Sequence, residues 1–116
     1  MKVNELMIGD KVVVKVLSQI PDTYIPHTWT ANDYSRDIQV KPIPLTAEIL
    51  EKNEWKETAY WHEYQDGKNI IQCCLPDMRG VINEIEINHF KCEYVHQYQH
   101  LLRLCGLDEL ADNFKI

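Results

Sequence analysis

An α+β fold is expected from three features of this sequence. β-branched and alternating runs recur through the first and middle parts of the chain. Helical periodicity occurs twice, each time with readable caps. Turn residues separate the strand-like runs at hairpin spacing. The expected architecture is a small N-terminal β portion, a short helix, and an antiparallel β meander with a C-terminal helix packed on one face. At 116 residues the chain fits one domain spanning 1–116. A chain of this size buries roughly two-thirds of its unfolded surface, so folding needs no disulfide or metal.

A turn at Gly9-Asp10 leads into Lys11-Val12-Val13-Val14-Lys15-Val16-Leu17, a β-branched run that predicts a strand. Residues 18–36 read as a loop, punctuated by Pro21, Asp22, Pro26, Asn32 and Asp33. Tyr24, Ile25, Trp29 and Tyr34 in this loop are expected to pack on the core. Ile38 to Val40 predict a second short strand. The stretch PIPLTAEILEKNEW, Pro42 to Trp55, is the hinge of the chain. Pro42 and Pro44 keep the approach extended, Thr46 caps a two-turn helix, and Leu45 with Leu50 forms a hydrophobic staple. Asn53 is the expected left-handed residue at its end.

The meander is expected in three or four strands. Trp55 to Tyr64 alternates, Asp66-Gly67 is a hairpin turn, and Asn69 to Leu75 returns as a strand. Pro76-Asp77 opens another turn, closed near Gly80, and Val81 to Ile87 follows as a strand. The period then changes. Tyr94, Val95, Tyr98, Leu101, Leu102 and Cys105 recur on one helical arc, Gly106 ends it, and Asp108 caps a last short helix.

The formal net charge of −6 argues against general binding to nucleic-acid phosphates, which needs a basic face. No apolar run approaches the ~20 residues of a membrane span. The start, MKVNELMIGDK, carries no apolar signal-peptide core, so a cytoplasmic protein is expected. In that compartment Cys73, Cys74, Cys92 and Cys105 are expected as reduced thiols. Cys73 and Cys74 are adjacent in a strand, point to opposite faces, and should not pair.

NELMIGDKV near the start, PIPLTAEIL in the middle and YVHQYQHLLRLCGLDEL at the end stand in an order that resembles a known family. These are small uncharacterised proteins of Bacteroidetes genomes, phages and mobile elements. Their pattern is an NELRIGN-like start, a PIPLTEEWL-like middle and a YVHQLQNLYFALTGEEL-like end. Tyr94, Val95, His96, Gln97 and Gln99 fit the end motif, whereas His100 stands where Asn is usual and Cys105 where Thr is usual. Asn53 stands where the family has Gly. The resemblance carries an architecture and no activity.

The sharpest ligand constellation is Cys92, His96 and His100, spaced i, i+4, i+8, with His89 as a further donor. The plainer reading puts Cys92 in a strand and sets His96, His100 and Arg103 on the solvated side of the helix. That reading is favoured, and no resident metal or cofactor is expected. Cys73, Cys74 or Cys92 could pair with His62, His89 or His96 as a nucleophile and base. No local signature selects a pair, and no catalytic residue is assigned. Glu84 with Glu86, and Glu48 with Glu51, read as solvated carboxylates.

Alternation sets Trp55, Ala59 and Trp61 on one face and Lys56, Thr58, Tyr60, His62 and Tyr64 on the other. One set should be core and the other an exposed aromatic ladder, with cross-strand pairing favoured over a binding role. As an interaction surface, Tyr60, His62, Tyr64 and His96 are the residues selected. Two classes of function remain. One is a non-catalytic protein-interaction module with an unknown protein partner, in the setting of an accessory or host-interaction factor of a phage or mobile element. The alternative is a small metal-binding protein or enzyme built on the histidine-bearing C-terminal helix.

Overall fold

A computed structural model describes residues 2–16 and 21–116. It shows an α+β fold with two antiparallel sheets. The first has the order β2-β1-β3, from Lys11–Val16 (β1), Thr23–Thr28 (β2) and Val40–Pro42 (β3). The second has five strands in chain order: Lys56–Glu57 (β4), His62–Asp66 (β5), Asn69–Cys74 (β6), Asp77–Ile82 (β7) and Ile85–Lys91 (β8). Among the described residues three α-helices complete the fold: Ala47–Lys52 (α1), Val95–Leu104 (α2) and Asp108–Asp112 (α3). Among the described residues, no helix is long and apolar enough to cross a membrane.

The first sheet corrects the loop reading of residues 18–36. Thr23–Thr28 is a strand paired along all of β1, and Ala31–Ser35 forms a 3-10 turn. Leu17, which the sequence assigned to β1, and residues 18–20 lie outside the described residues. Pro26 fits because β2 is an edge strand, where a missing N–H is tolerated. Trp29 fills the small core of this sheet with Leu6, Val12 and Val40. Tyr34 packs edge-on against Trp29 at 5.7 Å between ring centroids, and its hydroxyl donates to the Leu6 carbonyl at 2.5 Å. Of the four large side chains expected to pack on the core, Trp29 alone is buried; Ile25 and Tyr34 are exposed, and Tyr24 lies under the Lys41 ammonium at 4.2 Å.

The entry to α1 follows the sequence closely. Thr46 accepts the Ile49 N–H at 3.3 Å, and Leu45 and Leu50 are both buried. The left-handed residue is Glu54 at φ 68, not Asn53. Asn53 instead spends its carboxamide on the backbone. It donates to Ile49 and Lys115 carbonyls at 2.8 Å each and accepts the Lys115 N–H at 2.7 Å.

Trp55 to Tyr64 is not one strand. Thr58 folds it back, its N–H and hydroxyl both reaching the Trp61 carbonyl, at 2.7 and 2.8 Å. Lys56 then pairs with Glu63 and Glu57 with His62. The hairpin puts Trp55 and Tyr64 together in the core, 5.8 Å apart, and leaves Tyr60 exposed at the tip. The expected ladder of Tyr60, His62 and Tyr64 does not exist. His62 and Tyr64 share the inner face of β5, toward α1 and the core.

Residues 77–80 are strand, not turn. Leu75-Pro76, joined by a cis peptide bond, makes the reversal between β6 and β7, and Asn83-Glu84, at φ 50 and 68, makes the next. Glu84 therefore lies in a turn, apart from Glu86 on β8. Gly80 sits at φ 147 inside β7, where a Cβ would stand 2.0 Å from the Ile70 carbonyl oxygen. Only glycine lets the two strands close there.

The C-terminal helix α2 packs Val95, Tyr98, Leu101 and Leu102 into one core with Trp55, Tyr64, Ile71, Met78 and Ile82 of the sheet region. Gly106, at φ 80, ends it with the Leu107 N–H bonded back to Leu102 at 2.9 Å. Leu107, not Asp108, stands at the cap of α3. The opposite stripe of α2 is not solvated as expected. His96 is 5% exposed and Gln99 fully buried. The Arg103 and His100 side chains are 10% and 23% exposed, both on the carboxylate of buried Asp10. The helix thus lies between the two sheets, apolar toward the large one and polar toward the small one.

Candidate functional site

The outer face of the five-stranded sheet carries a groove of about 390 Å³, walled by the β4–β5 turn and floored by β6, β7 and β8. Cross-strand register builds the floor. Glu63, Gln72 and Arg79 occupy one row, and Cys74 stands opposite Asp77 in the next. Inner-face partners in these strands, Ile71, Cys73, Met78 and Ile82, are buried in the core. Alternation therefore sends Gln72, Cys74, Asp77 and Arg79 outward.

A β-bulge shapes one end. Met78 pairs with Phe90 but Gly80 pairs with Ile87, so Asn88 and His89 together oppose Arg79. The extra residue turns both side chains toward the groove. His89 lies 3.6 Å from the Asp77 carboxylate. Arg79 makes no ion pair among the described residues.

The wall is aromatic. Tyr60 is 83% exposed and tilts against Trp61, with 6.2 Å between ring centroids. The Trp61 indole N–H is enclosed without an acceptor among the described residues. Thr58, bonded to the Trp61 carbonyl, sets the turn that presents this pair.

The residues singled out from sequence are scattered. Tyr60 lies in the groove, His62 behind the same turn, Tyr64 in the core, and His96 is buried on α2 between the rings of Tyr94 and His100. Cys92 is fully buried before α2, with its N–H on the Pro76 carbonyl at 2.7 Å, while His89 is on the outer face. Rings of His96 and His100 meet edge-on at 5.5 Å, but His100 is taken by Asp10 at 2.6 Å. Among the described residues, the metal-capable side chains that converge, within 4.8 Å of one another, are Glu51, Glu57 and His62. Neither Cys92, His96 and His100 nor Cys74, Asp77 and His89 form such a set.

The thiols divide by burial. Burial pushes Cys73 and Cys92 up to about 12, helped for Cys73 by Cys74 and Asp77 and for Cys92 by Cys73. Burial also raises Cys105. Those three are poor nucleophiles near neutral pH. Cys74 is exposed in the groove.

Sequence reading missed Gln72, Asp77, Arg79 and Asn88. Pro76, Asp77 and Gly80 together imitate a turn, which hid a strand and its outward side chains. Period-two reading from Ile71 and Cys73 was the signal that could have recovered Gln72. Comparison of this chain with protein-family models, with curated proteins and with solved structures found no match.

Proposed function

We propose that the protein is a cytoplasmic, non-catalytic protein-interaction module whose contact face is the groove on the outer side of the five-stranded sheet. The carrying observation is the Tyr60–Trp61 pair, held at the rim of that groove by a tight turn, with Tyr60 open to solvent and Trp61 half-buried beside it. Large exposed aromatics beside a lone arginine are the composition of binding hot spots. The fitting partner is an extended protein segment. It places an apolar or aromatic side chain on Tyr60 and Trp61, and a carboxylate on Arg79. Four free thiols accord with a reducing compartment, and the net charge of −6 disfavours nucleic acid. The biological setting suggested by the resemblance is an accessory or host-interaction factor of a phage or mobile element.

The test is affinity purification from the native host with wild type beside Tyr60→Ala and Arg79→Glu, read by quantitative mass spectrometry. Both substitutions fall on outward side chains and should leave the melting temperature unchanged. A partner captured by wild type and lost from both variants supports the reading. Partners retained equally by all three chains sink it.

A further inference from the structure

We infer that Glu51, Glu57 and His62 form a binding site for a first-row divalent cation of the zinc class. The three donors come from three elements: the last turn of α1, strand β4 and strand β5. Glu57 and His62 are direct cross-strand partners, so their side chains start from neighbouring Cα positions on one face. Glu51 reaches over from the helix, its carboxylate 3.5 Å from His62 Nε2.

Three details favour a cation over an ordinary ion pair. First, His62 Nε2 is shut off from solvent and makes no hydrogen bond, although a carboxylate lies beside it. A buried ring nitrogen with no partner is an atom awaiting one. Second, neither Glu51 nor Glu57 pairs with a lysine or arginine among the described residues, so both carboxylates are free to take a cation beside the His62 ring. Third, the spacing is close to what a metal needs. Tetrahedral ligands on zinc bonds of about 2.0 Å lie roughly 3.3 Å apart. One pair here is at 3.5 Å and all three donors fall within 4.8 Å. The two glutamates are exposed, so side-chain rotation alone can close the remainder.

One imidazole with two carboxylates selects zinc, manganese or cobalt over calcium and magnesium, which prefer all-oxygen shells. Three protein donors leave a fourth position for water. The ligands also bracket residues 58–61, the turn that carries Tyr60 and Trp61. A bound ion ties the base of that turn to α1. Metal binding itself is independent of any role for the groove.

The experiment uses the full chain, stripped with chelator and titrated with zinc sulfate by calorimetry, with magnesium as the control. The expected result is one zinc per chain, a rise in melting temperature, and no magnesium binding. Glu57→Gln and His62→Ala should each weaken zinc on the order of tenfold or more, while His89→Ala should not. Glu57 is exposed, so Glu57→Gln carries the test even where His62→Ala disturbs folding. Cobalt(II) loading should give a spectrum free of thiolate charge-transfer bands. Unaltered zinc affinity in Glu57→Gln, thiolate bands, or adventitious binding that His89→Ala abolishes would each overturn the site.

Discussion

The Gln99 carboxamide oxygen accepts the Lys11 N–H at 2.8 Å, joining the middle of α2 to the first residue of β1 across 88 positions of sequence. Its amide nitrogen donates to the Gly9 and Ala111 carbonyls at 3.0 and 2.9 Å. One fully buried side chain thus ties the small sheet, α2 and α3 together with every bond satisfied. Gln99→Ala removes the bonds to the Lys11 N–H and the Gly9 carbonyl, while the Ala111 carbonyl keeps the Phe114 N–H at 3.3 Å. We expect a loss on the order of 3 kcal/mol. Urea unfolding checks it: the midpoint should fall with the slope unchanged.

Acid should weaken the same junction in two stages. Burial pushes the His96 imidazole below its ordinary 6.5, and His100 adds to this against the opposing pull of Asp10 and Glu5. The unfolded chain therefore binds this proton first, so its stabilising contribution is full above about pH 6.5 and falls as pH drops below it. Asp10 behaves differently. Burial pushes its carboxyl up, but hydrogen bonds from His100, the Met7 N–H and Arg103 together pull it below its ordinary 3.8. That contribution is full above about pH 4 and is lost only below it. Urea midpoints between pH 7 and 5 should decline less in His96→Gln than in wild type. Asp10→Asn should cost roughly 3 kcal/mol already at pH 7, because Arg103 loses its charged partner in a nearly enclosed site.

Brief alkylation of the native protein should mark Cys74 and spare Cys73, Cys92 and Cys105. Mass spectrometry of the intact chain should show one fast adduct at pH 8 and four in denaturant. Cys74→Ser should remove the fast adduct without altering the melting temperature. Rapid labelling of Cys73, Cys92 or Cys105 would contradict their burial in the large core.

Gly80→Ala should be the most damaging single-methyl change in the large sheet. Its Cβ would meet the Ile70 carbonyl oxygen and the Ile71 Cα, both backbone atoms that cannot swing aside. The cost is at least about 3 kcal/mol, from strand separation added to a strained φ. Gly67→Ala is the control. Gly67 also has positive φ, but open space surrounds it, so its loss should be near 1 kcal/mol. Circular dichroism melts of both variants make the comparison.

What could be read from the sequence was what local chemistry decides. Thr46, Leu45 and Leu50 started α1, Gly106 stopped α2, and the apolar arc from Val95 to Leu102 went to the core as its period required. Partners distant in sequence were not legible. Nothing near His96 or Arg103 announces Asp10, so their stripe read as wet. Nothing near Asn53 announces Lys115, whose backbone its carboxamide holds. The groove was half legible: Tyr60 was selected, but from a strand that the Thr58–Trp61 contact breaks. Glu51 and His62 each drew notice for separate reasons, and only the β4–β5 hairpin sets them together.

Placing α2 between the sheets has a consequence for how the chain is made. Strand β1 leaves the ribosome long before Gln99, His100 and Arg103 exist to receive Gly9, Asp10 and Lys11. During synthesis the first third can form only its own hairpin, with Asp10 still in water. Helix α2, which emerges roughly eighty residues later, locks β1 in place, so the small sheet is completed only after the large one has been made.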